Sequence, residues 1–558
     1  MSLVINEKTE MTESQFTCGS TFVPDKDQAG DAPILTVPQQ VPTTSAEGSY
    51  GQILKSSALI GGSSVLNIGI GIVRTKAMAI LLGPAGFGLF GLYGSVADIT
   101  ASIAGMGINN SGVRQIAEAV GSGDGQRIAQ TTAVLRRTSI ALGVLGASLL
   151  LLFSRPISRL TFGTSERAAA VSLLSIAVLF RLLSGGQAAL IQGTRRIADL
   201  AKMNVLGALF GVCTSIPLVY LFREKGVVPS LVSVAAMTIL TSWWYSRKIG
   251  IQTLAVTFSQ VRQEASALLK LGSAFMASGF LTMGAAYAVR ITVLHKIGFE
   301  ATGLYQSAWM LGGFYVGIIL QAMGADFYPR LTATVNTHPE CNRLVNEQTL
   351  VGLLLAGPGV LATLTFAPLV ISMFYSAKFG AAVGVLRWIC LGATLQVVTW
   401  PMGFIVVAKG RQGLFFGSEL AWTIVAVGMA WFCIKFFGLN GAGIAFLGSY
   451  IFHGFLTYPI ARWLTGFRWS TENKRIGLIY LSLICIGFCG FYVLPLLAAT
   501  CVAAMTLVVG SAYSVRALLK MVSLHRIPLP VQRLLVWLRL VTLDSSRVCT
   551  AGGVEEVT

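Results

Sequence analysis

Fourteen long apolar stretches constrain the fold of this chain more than any other feature. Each is long enough, at about 20 residues or more, to cross a bilayer as an α-helix. Lipid offers no partner to a free backbone amide, so spanning segments are helices or closed barrels, and barrel strands run only about 10 residues. We therefore predict an all-α polytopic membrane protein with about fourteen transmembrane helices. The stretches lie at about 53–82, 86–110, 131–153, 167–192, 203–222, 227–246, 267–295, 301–328, 348–375, 382–407, 413–437, 441–463, 475–494 and 497–519.

Composition supports this class. Hydrophobic residues make up 54% of the 558 residues and charged residues 11%, whereas a soluble domain carries roughly a quarter charged residues. An ordinary soluble enzyme is excluded. The net charge of +18 does not indicate nucleic-acid binding, because the Lys and Arg residues sit in short loops between apolar stretches. The nine cysteines include no C-x-x-C pair, and we predict no disulfide.

Loop charges predict the orientation. If both termini are inside, the inner loops carry about three times as many Lys and Arg residues as the outer loops, which is the bias that sets topology. Residues 1–50 are rich in Thr, Ser, Pro and acids. They predict a disordered acidic cytoplasmic tail, not a signal peptide.

An internal repeat appears at a shift of 215 residues. Val73-Arg74 also falls one residue from Val289-Arg290, and the loop 192–195 faces 409–411 at a shift of 217. The repeat predicts two similar six-helix lobes in the same orientation, related by a pseudo-two-fold axis along the membrane normal, with a cavity between them. The pairs at 215 are Lys55 and Lys270, Gly83 and Gly298, Gly88 and Gly303, and Leu89 and Leu304.

The repeat also predicts a division of the chain into five parts. Helices 1–6 and 7–12 form the lobes, and two further helices follow. The parts are the tail 1–50, the N-lobe 51–250, the C-lobe 251–465, the extra helices 466–522 and a cytoplasmic C-terminal tail 523–558.

No catalytic or metal motif is present in the sequence. Four histidines, His295, His338, His453 and His525, are scattered without ligand spacing, and no Gly-rich phosphate loop follows a strand. We predict a protein that is not an enzyme and that needs no metal or cofactor beyond a coupling ion, H⁺ or Na⁺.

Three arginines within the spans are candidate binding residues, because a charge in hydrocarbon is costly unless it faces a partner or water. Arg74 and Arg290 lie at similar depths on matching helices, and Arg181 lies midway along helix 4. We interpret them as fixed cavity cations that bind phosphate through paired hydrogen bonds. The alternative is that each reaches an interface or pairs with a carboxylate.

Three acids are candidates for ion coupling. Asp98 and Glu419 lie within spans, and Asp326 lies near the inner end of helix 8. Desolvation favours the protonated carboxyl, so such a group can carry a proton or help to bind Na⁺. A static salt bridge is the alternative, and it is the favoured interpretation for Asp326, which lies close to a rim.

Uncharged polar and aromatic residues within the spans could bind sugars. Helix packing and interfacial belts are the alternative reasons for such residues. They are Asn67, Asn109, Gln187, Gln306, Gln396, Tyr93, Trp309, Tyr315, Trp400 and Trp422.

Several motifs resemble one transporter family. The run from Lys76 to Phe90 contains Gly-Pro-Ala-Gly and continues into Gly-Met-Gly-Ile-Asn-Asn-Ser-Gly-Val-Arg at 105–114. It is similar to the first helical hairpin of Wzx-type lipid-linked oligosaccharide flippases of the MOP superfamily. Further matches, within roughly residues 50–465, are Gly303-Leu-Tyr-Gln-Ser, Phe327-Tyr-Pro-Arg-Leu and Val407-Ala-Lys-Gly-Arg. The acidic tail and the extra helix pair depart from the pattern.

The resemblance implies a V-shaped, MATE-like transporter of the bacterial inner membrane. Such a protein moves undecaprenyl-diphosphate-linked sugar repeats from the inner to the outer leaflet by alternating access, and its cationic cavity agrees with Arg74 and Arg290. Membrane lipids, a polysaccharide polymerase and chain-length machinery are the implied partners. Two alternatives stay within the superfamily, a drug or metabolite antiporter and a lipid II flippase, and a membrane polysaccharide polymerase is a third.

Overall fold

A computed structural model of the protein describes residues 46–251 and 258–521. Contacts divide the chain into Met1–Leu54 and Lys55–Thr558. Of the first unit the structure describes the beginning of one helix, and all contacts given below lie in the second. The predicted tails, apart from residues 46–50, lie outside the described residues. The first helix begins at Ala46, four residues before the predicted end of the tail.

Sixteen α-helices account for most of the described residues, which contain no strand. The helices of the first half are α1 (Ala46–Gly105), α2 (Ile108–Gly121), α3 (Gly125–Leu152), α4 (Ser154–Phe162), α5 (Ala168–Gly193), α6 (Ile197–Phe222) and α7 (Val227–Arg247). Those of the second half are α8 (Phe258–Lys296), α9 (Phe299–Ala333), α10 (His338–Thr365), α11 (Ala367–Phe374), α12 (Ala382–Ala408), α13 (Gln412–Phe437), α14 (Asn440–Thr465), α15 (Thr471–Val493) and α16 (Leu496–Met521).

Eleven helical segments of the described chain are long and apolar enough to span a membrane. Two of them contain a break, and each therefore holds two of the predicted spans. Gly61–Gly105 is interrupted at Gly83, and Ile197–Arg247 contains a 3₁₀ turn at Arg223–Gly226. With α8, all fourteen predicted stretches fall on helices, which confirms the all-α polytopic fold.

The break in α1 follows from its sequence. Gly83 has φ 66° and ψ −176°, a conformation that glycine adopts without steric cost, and Pro84 follows it. A proline disfavours helical backbone at the residue before it and lacks the N–H that would continue the ladder. The second half of α1, residues 84–105, is therefore a separate span.

The internal repeat is visible in the backbone at 215-residue intervals. Gly83 and Gly298 both combine a positive φ, 66° and 119°, with an extended ψ, −176° and −177°. The caps before α6 and α13, Arg196 and Arg411, have φ −81° in both cases and ψ 62° and 64°. This pairing corrects the predicted shift of 217 for that loop, since the conformations match at 215.

The helices pack in two groups. In the first half α5 lies between α3 and α7, and α6 packs on α7. In the second half α12 packs against α9, α10 and α14, and α13 lies against α14. Helix α8 connects the groups, because it contacts α2 and α3 as well as α13. The pair α15 and α16 packs on α10, where Tyr480 and the Leu354 carbonyl both bind Ser514.

One end of the bundle, which we call the Gly83 end, brings the two halves into close contact. A Cβ atom on Gly303 would lie 1.8 Å from the Pro84 carbonyl oxygen, and one on Gly88 would lie 2.7 Å from the Gly303 nitrogen. Only glycine permits backbones this close. Phe87 also packs against two rings of the second half, at centroid distances of 5.4 and 5.8 Å. Sequence predicts that the Gly83 end faces outside.

Candidate functional site

Arg181 and Asp98 form an ion pair on the wall of a cavity. The Arg181 guanidinium, on α5, donates to the Asp98 carboxylate on the second half of α1. The two side chains are 40% and 49% exposed, so the pair is open to the cavity. The cavity has a volume of about 380 Å³ and is lined by the second half of α1, the start of α2, α5 and α8.

Arg290 is hydrogen-bonded to two other helices. This α8 residue donates to Ser95 Oγ at 2.7 Å and, through Nε, to Gln306 Oε1. Ser95 lies on the second half of α1 and Gln306 lies on α9. The Arg290 guanidinium is therefore fixed in orientation where the two halves of the protein meet.

Arg74 lies at a similar position on α1 but has fewer partners. Its Cζ atom is 5.4 Å from the centre of the Phe90 ring, a cation–π contact. Its Nε and Nη2 atoms are buried and have no hydrogen-bond partner. The 215-residue shift places Gly91 where the second half has Gln306. Arg74 therefore lacks the amide that binds Arg290.

The three arginines share the second half of α1 as a common wall. They contact Phe90, Ser95 and Asp98, which lie within about 12 Å along the helix axis. Arg74 is close enough to Arg181, and Arg290 to Asp98, for their charges to interact. We call these four side chains the arginine cluster. One carboxylate among three guanidiniums leaves an excess of positive charge, which suits an anionic ligand.

The other two predicted coupling acids lie outside the arginine cluster. Asp326 pairs with Arg330 one turn along α9 at 3.0 Å, and both side chains are well exposed. Glu419 is on α13, near Tyr450 of α14. Glu419 forms no ion pair within residues 61–251 or the described side chains beyond 258.

A second cavity lies inside the second group of helices and is lined by aromatic rings. Its volume is about 190 Å³, and its walls include Tyr305, Trp309, Trp422 and Tyr450. Consecutive rings touch, with centroids 6.0 Å apart for Tyr305 and Trp309 and 5.7 Å for Trp422 and Tyr450. Small alanine side chains leave the space between the rings open. We call this the aromatic cavity.

The remaining predicted aromatics have packing roles. Tyr93 and Trp400 belong to aromatic clusters in the core. The Tyr315 hydroxyl donates to the Leu355 carbonyl at 2.9 Å. Of the predicted aromatic residues, only Trp309 and Trp422 come together at a cavity.

Some of the predicted polar residues lie at a cavity or at the arginine cluster, and others do not. Asn109 lines the cavity beside Asp98, and Gln396 lines the aromatic cavity. Gln306 binds Arg290. Gln187 accepts a hydrogen bond from a serine of α7 and lies elsewhere. The Asn67 Oδ1 atom is buried and has no partner.

Sequence reasoning missed Ser95 and Phe90 as members of the site. The signal for Ser95 was its position three residues before Asp98, on the same helix face. The signal for Phe90 was its match to Tyr305 at the 215-residue shift. Within the described residues, no group of three or more His, Cys, Asp or Glu side chains could bind a metal ion.

Residues 77–384 match the sequence pattern of a family described as polysaccharide biosynthesis protein. Among individual proteins, the lipid III flippases of Escherichia coli (strain K12) and Shigella flexneri are each 22% identical to this chain over 404 residues. The match covers 72% of this chain and 95% of each relative.

Two kinds of solved structure share the fold. The lipid II flippase MurJ in an inward closed conformation gives a TM-score of 0.59 at 12% identity, covering 83% of this chain and 99% of the other. An inward-facing MATE family multidrug resistance transporter of the MOP superfamily gives 0.55 at 16% identity, covering 72% and 99%. The predicted MOP-superfamily fold is confirmed.

Proposed function

Because the chain belongs to the polysaccharide biosynthesis protein family, we propose that it is a flippase for undecaprenyl-diphosphate-linked oligosaccharide repeat units in surface polysaccharide biosynthesis. It moves them from the inner to the outer leaflet of the bacterial cytoplasmic membrane, with both termini in the cytoplasm. Similarity to lipid III flippases supports this class of substrate. The observation that carries the proposal is the arginine cluster, and above all the two unpartnered guanidinium nitrogens of Arg74.

A phosphate group has no hydrogen-bond donors around it in lipid, and in this proposal Arg74 supplies them. A buried cation without a partner is costly, so Nε and Nη2 are available to a ligand that compensates them. These two N–H groups can donate in parallel to one phosphate. Arg290 and Arg181 add positive charge for the second phosphate.

The ion pair of Asp98 with Arg181 connects substrate binding to ion coupling. A diphosphate that binds Arg181 competes with the Asp98 carboxylate, which then takes up a proton or a Na⁺ ion. Glu419 is the second candidate for this role, whereas the exposed pair of Asp326 with Arg330 favours a static salt bridge at Asp326. No nucleotide-binding loop is present in the sequence, so the work comes from an ion gradient or the membrane potential.

The aromatic cavity is where we place a sugar ring of the repeat unit. Val289 and Tyr305 line it, and the residues that follow them, Arg290 and Gln306, bond to each other, so the aromatic cavity adjoins the arginine cluster. Aromatic rings can pack against the apolar face of a sugar, and Gln396 on the same wall offers an amide to its hydroxyls. The diphosphate and the sugar would then bind on adjacent surfaces.

Alternating access begins, in this proposal, from the state with the Gly83 end closed. The close contact of Gly88 and Gly303 seals the predicted outer side, so the substrate enters from the opposite side. Release requires the two halves to part at the Gly83 end.

One alternative has support of its own. A lipid II flippase would use the same diphosphate chemistry, and the likeness to MurJ extends over 83% of this chain. A drug or metabolite antiporter of the superfamily handles cations, which the excess of arginines disfavours. A membrane polymerase or ligase needs a large external site, and the loops at the Gly83 end are short. Partnership with a polymerase and chain-length machinery follows only if the first proposal is correct.

Deletion of the gene tests the proposal directly. We expect one surface polymer to disappear and its lipid-linked oligosaccharide precursor to accumulate on the inner leaflet. Complementation with wild-type protein restores the polymer, while Arg74→Ala does not. Accumulation of lipid II with arrest of cell-wall synthesis would instead select the alternative, and loss of drug tolerance alone would contradict both.

A further inference from the structure

A third cavity lies in the first group of helices, between α3, α5 and α7. Its volume is about 220 Å³, far more than one water molecule needs. Its polar lining includes Arg136, Ser139, Thr132 and Gln187, and Trp243 forms part of its apolar rim. This cavity is independent of the proposed function.

The third cavity and the arginine cluster use different faces of α5. Arg181 and Leu182 line the cavity beside Asp98, whereas Leu183, Gly186, Gln187 and Leu190 line the third cavity. At 3.6 residues per turn the mean directions of these two sets differ by about 140°. A substrate bound at Arg181 therefore does not reach the third cavity.

The surroundings of the third cavity face the lipid. Ile140 on its rim is 43% exposed, and Leu240 and Trp244 nearby on α7 are 55% and 60% exposed. Large apolar side chains with this exposure, in a helix that spans the membrane, are in contact with acyl chains. The third cavity therefore opens sideways into the bilayer.

The depth of the third cavity matches a headgroup region. Gln187 lies six residues before the end of α5 and Trp243 four before the end of α7, about 9 and 6 Å from those ends. The Arg247 guanidinium stacks on the Trp243 ring at 4.6 Å, and Lys248 lies 4.6 Å from the Tyr245 ring. Aromatic rings beside basic residues mark an interface, and loop charges assign this one to the inner leaflet.

The polar groups of the third cavity are suited to an anion. The Ser139 and Thr132 hydroxyl oxygens are buried and have no hydrogen-bond partner. A Cβ on Gly186 would lie 2.1 Å from Ser139 Oγ, so the glycine at 186 leaves room for that hydroxyl beside α5. The Gln187 carbonyl already accepts from Ser242 at 2.5 Å, which leaves its NH₂ group to donate. Together with the Arg136 guanidinium, the Gln187 NH₂ group and the two hydroxyls can each donate a hydrogen bond to a bound anion.

We propose that the third cavity binds the phosphate headgroup of an anionic phospholipid in the inner leaflet. Arg136 supplies the charge, Ser139, Thr132 and Gln187 donate hydrogen bonds to the phosphate oxygens, and the acyl chains lie along the exposed apolar surface of α3 and α7. Basic pockets between helices on the cytoplasmic side of a membrane bind anionic headgroups in this way. The bound lipid joins α3, α5 and α7 at their inner ends.

The test is binding of dioctanoyl phosphatidylglycerol to the purified full-length protein in uncharged detergent, followed by native mass spectrometry. We expect Arg136→Gln to raise Kd at least tenfold and Ser139→Val to raise it several-fold. The matched control is Arg137→Gln, which removes a neighbouring charge that does not line the cavity and keeps the wild-type Kd. Arg136 is exposed, so its replacement leaves the fold intact, which size-exclusion chromatography verifies.

Two ligand controls identify the source of the phosphate. Dioctanoylglycerol, which lacks the phosphate, should bind at least tenfold more weakly, and inorganic phosphate at millimolar concentration should not displace the lipid. Equal Kd values for Arg136→Gln and Arg137→Gln would overturn the site. Displacement by inorganic phosphate would overturn the lipid as its ligand.

Discussion

Gly88 lies directly against Gly303, the residue that follows it by 215 positions. A residue can touch its own repeat mate only where the axis that relates the two repeats passes between them. The pseudo-two-fold axis therefore runs between the second half of α1 and the start of α9. The residues that contact the three arginines, Phe90, Ser95 and Asp98, follow Gly88 on the same helix, so the arginine cluster lies beside this axis.

The first prediction concerns this contact. Gly303→Ala places a methyl group 1.8 Å from the Pro84 carbonyl oxygen, and the backbones must separate. Overpacking of this kind costs about 1–3 kcal/mol, so we expect the Gly83 end to open and a cysteine at Phe87 to react faster with a water-soluble thiol reagent. Gly317→Ala, on the same helix with open space at its Cβ, is the control. Equal labelling rates in both variants would contradict the closed contact.

The second prediction separates Arg74 from Arg290. Loss of charge-assisted hydrogen bonds worth about 1.5–3 kcal/mol each should reduce flipping by Arg74→Ala and Arg290→Ala ten- to a hundredfold in vesicles. Arg74→Lys should recover only part of the rate, since an ammonium lacks the planar fork. Arg290→Ala should also lower thermal stability, because it leaves Ser95 and Gln306 without their donor. Wild-type flipping by Arg74→Ala would refute its role in substrate binding.

The third prediction tests the ion pair between Arg181 and Asp98 with a double-mutant cycle. Asp98→Asn frees the guanidinium, so the substrate should bind more tightly and leave more slowly. Arg181→Gln should weaken binding, and the double variant should bind like Arg181→Gln alone, because Asp98→Asn then has no guanidinium to free. Substrate binding and turnover are measured separately, because release of the guanidinium changes binding, whereas loss of ion coupling changes turnover. Additive effects in the double variant would mean that the pair does not act as a unit.

The fourth prediction concerns Glu419. We expect Glu419→Gln to reduce transport driven by an imposed pH or Na⁺ gradient at least tenfold while the substrate still binds. Asp326→Asn removes an exposed carboxylate that already pairs with Arg330, and it serves as the control with near wild-type rates. If Glu419→Gln keeps the wild-type gradient dependence, ion coupling runs elsewhere.

The fifth prediction concerns pH at the predicted inner side. Burial raises the pKa of Glu264, although Arg127 and a hydrogen bond from Gln130 act in the opposite direction. Because the folded state holds this proton more tightly than the unfolded chain, the contribution of Glu264 favours folding at low pH. It is lost as the pH rises through the raised pKa. Wild type and Glu264→Gln should therefore converge in melting temperature at low pH and diverge, with the variant more stable, at neutral pH.

The sequence predicted the helices well because lipid leaves a spanning backbone few alternatives. It also located the break at Gly83, where glycine and proline chemistry is local. The error in the 192–195 loop came from aligning identical residues. The backbone conformation that Arg196 and Arg411 share instead gives a shift of 215 at this loop.

The site was harder to predict because partners come from distant segments. The free-energy cost of a charge in lipid identified Arg74, Arg181, Arg290 and Asp98 as candidate site residues from the sequence. The sequence did not show that Arg181 pairs with Asp98, which lies 83 positions earlier. The sequence also did not show that the Gln306 side chain of α9 binds Arg290 of α8, which depends on how the two helices pack.

The Gly83 end differs in chemistry from the cavity that it seals. Its contacts are backbone packing at Gly88 and Gly303, ring contacts of Phe87, and the Arg167 guanidinium between Phe162 and Phe299. No ion pair within the described side chains joins the two halves there. Added salt screens exposed charges, so raising the ionic strength should slow substrate loading at the arginine cluster while leaving the opening rate of this end almost unchanged.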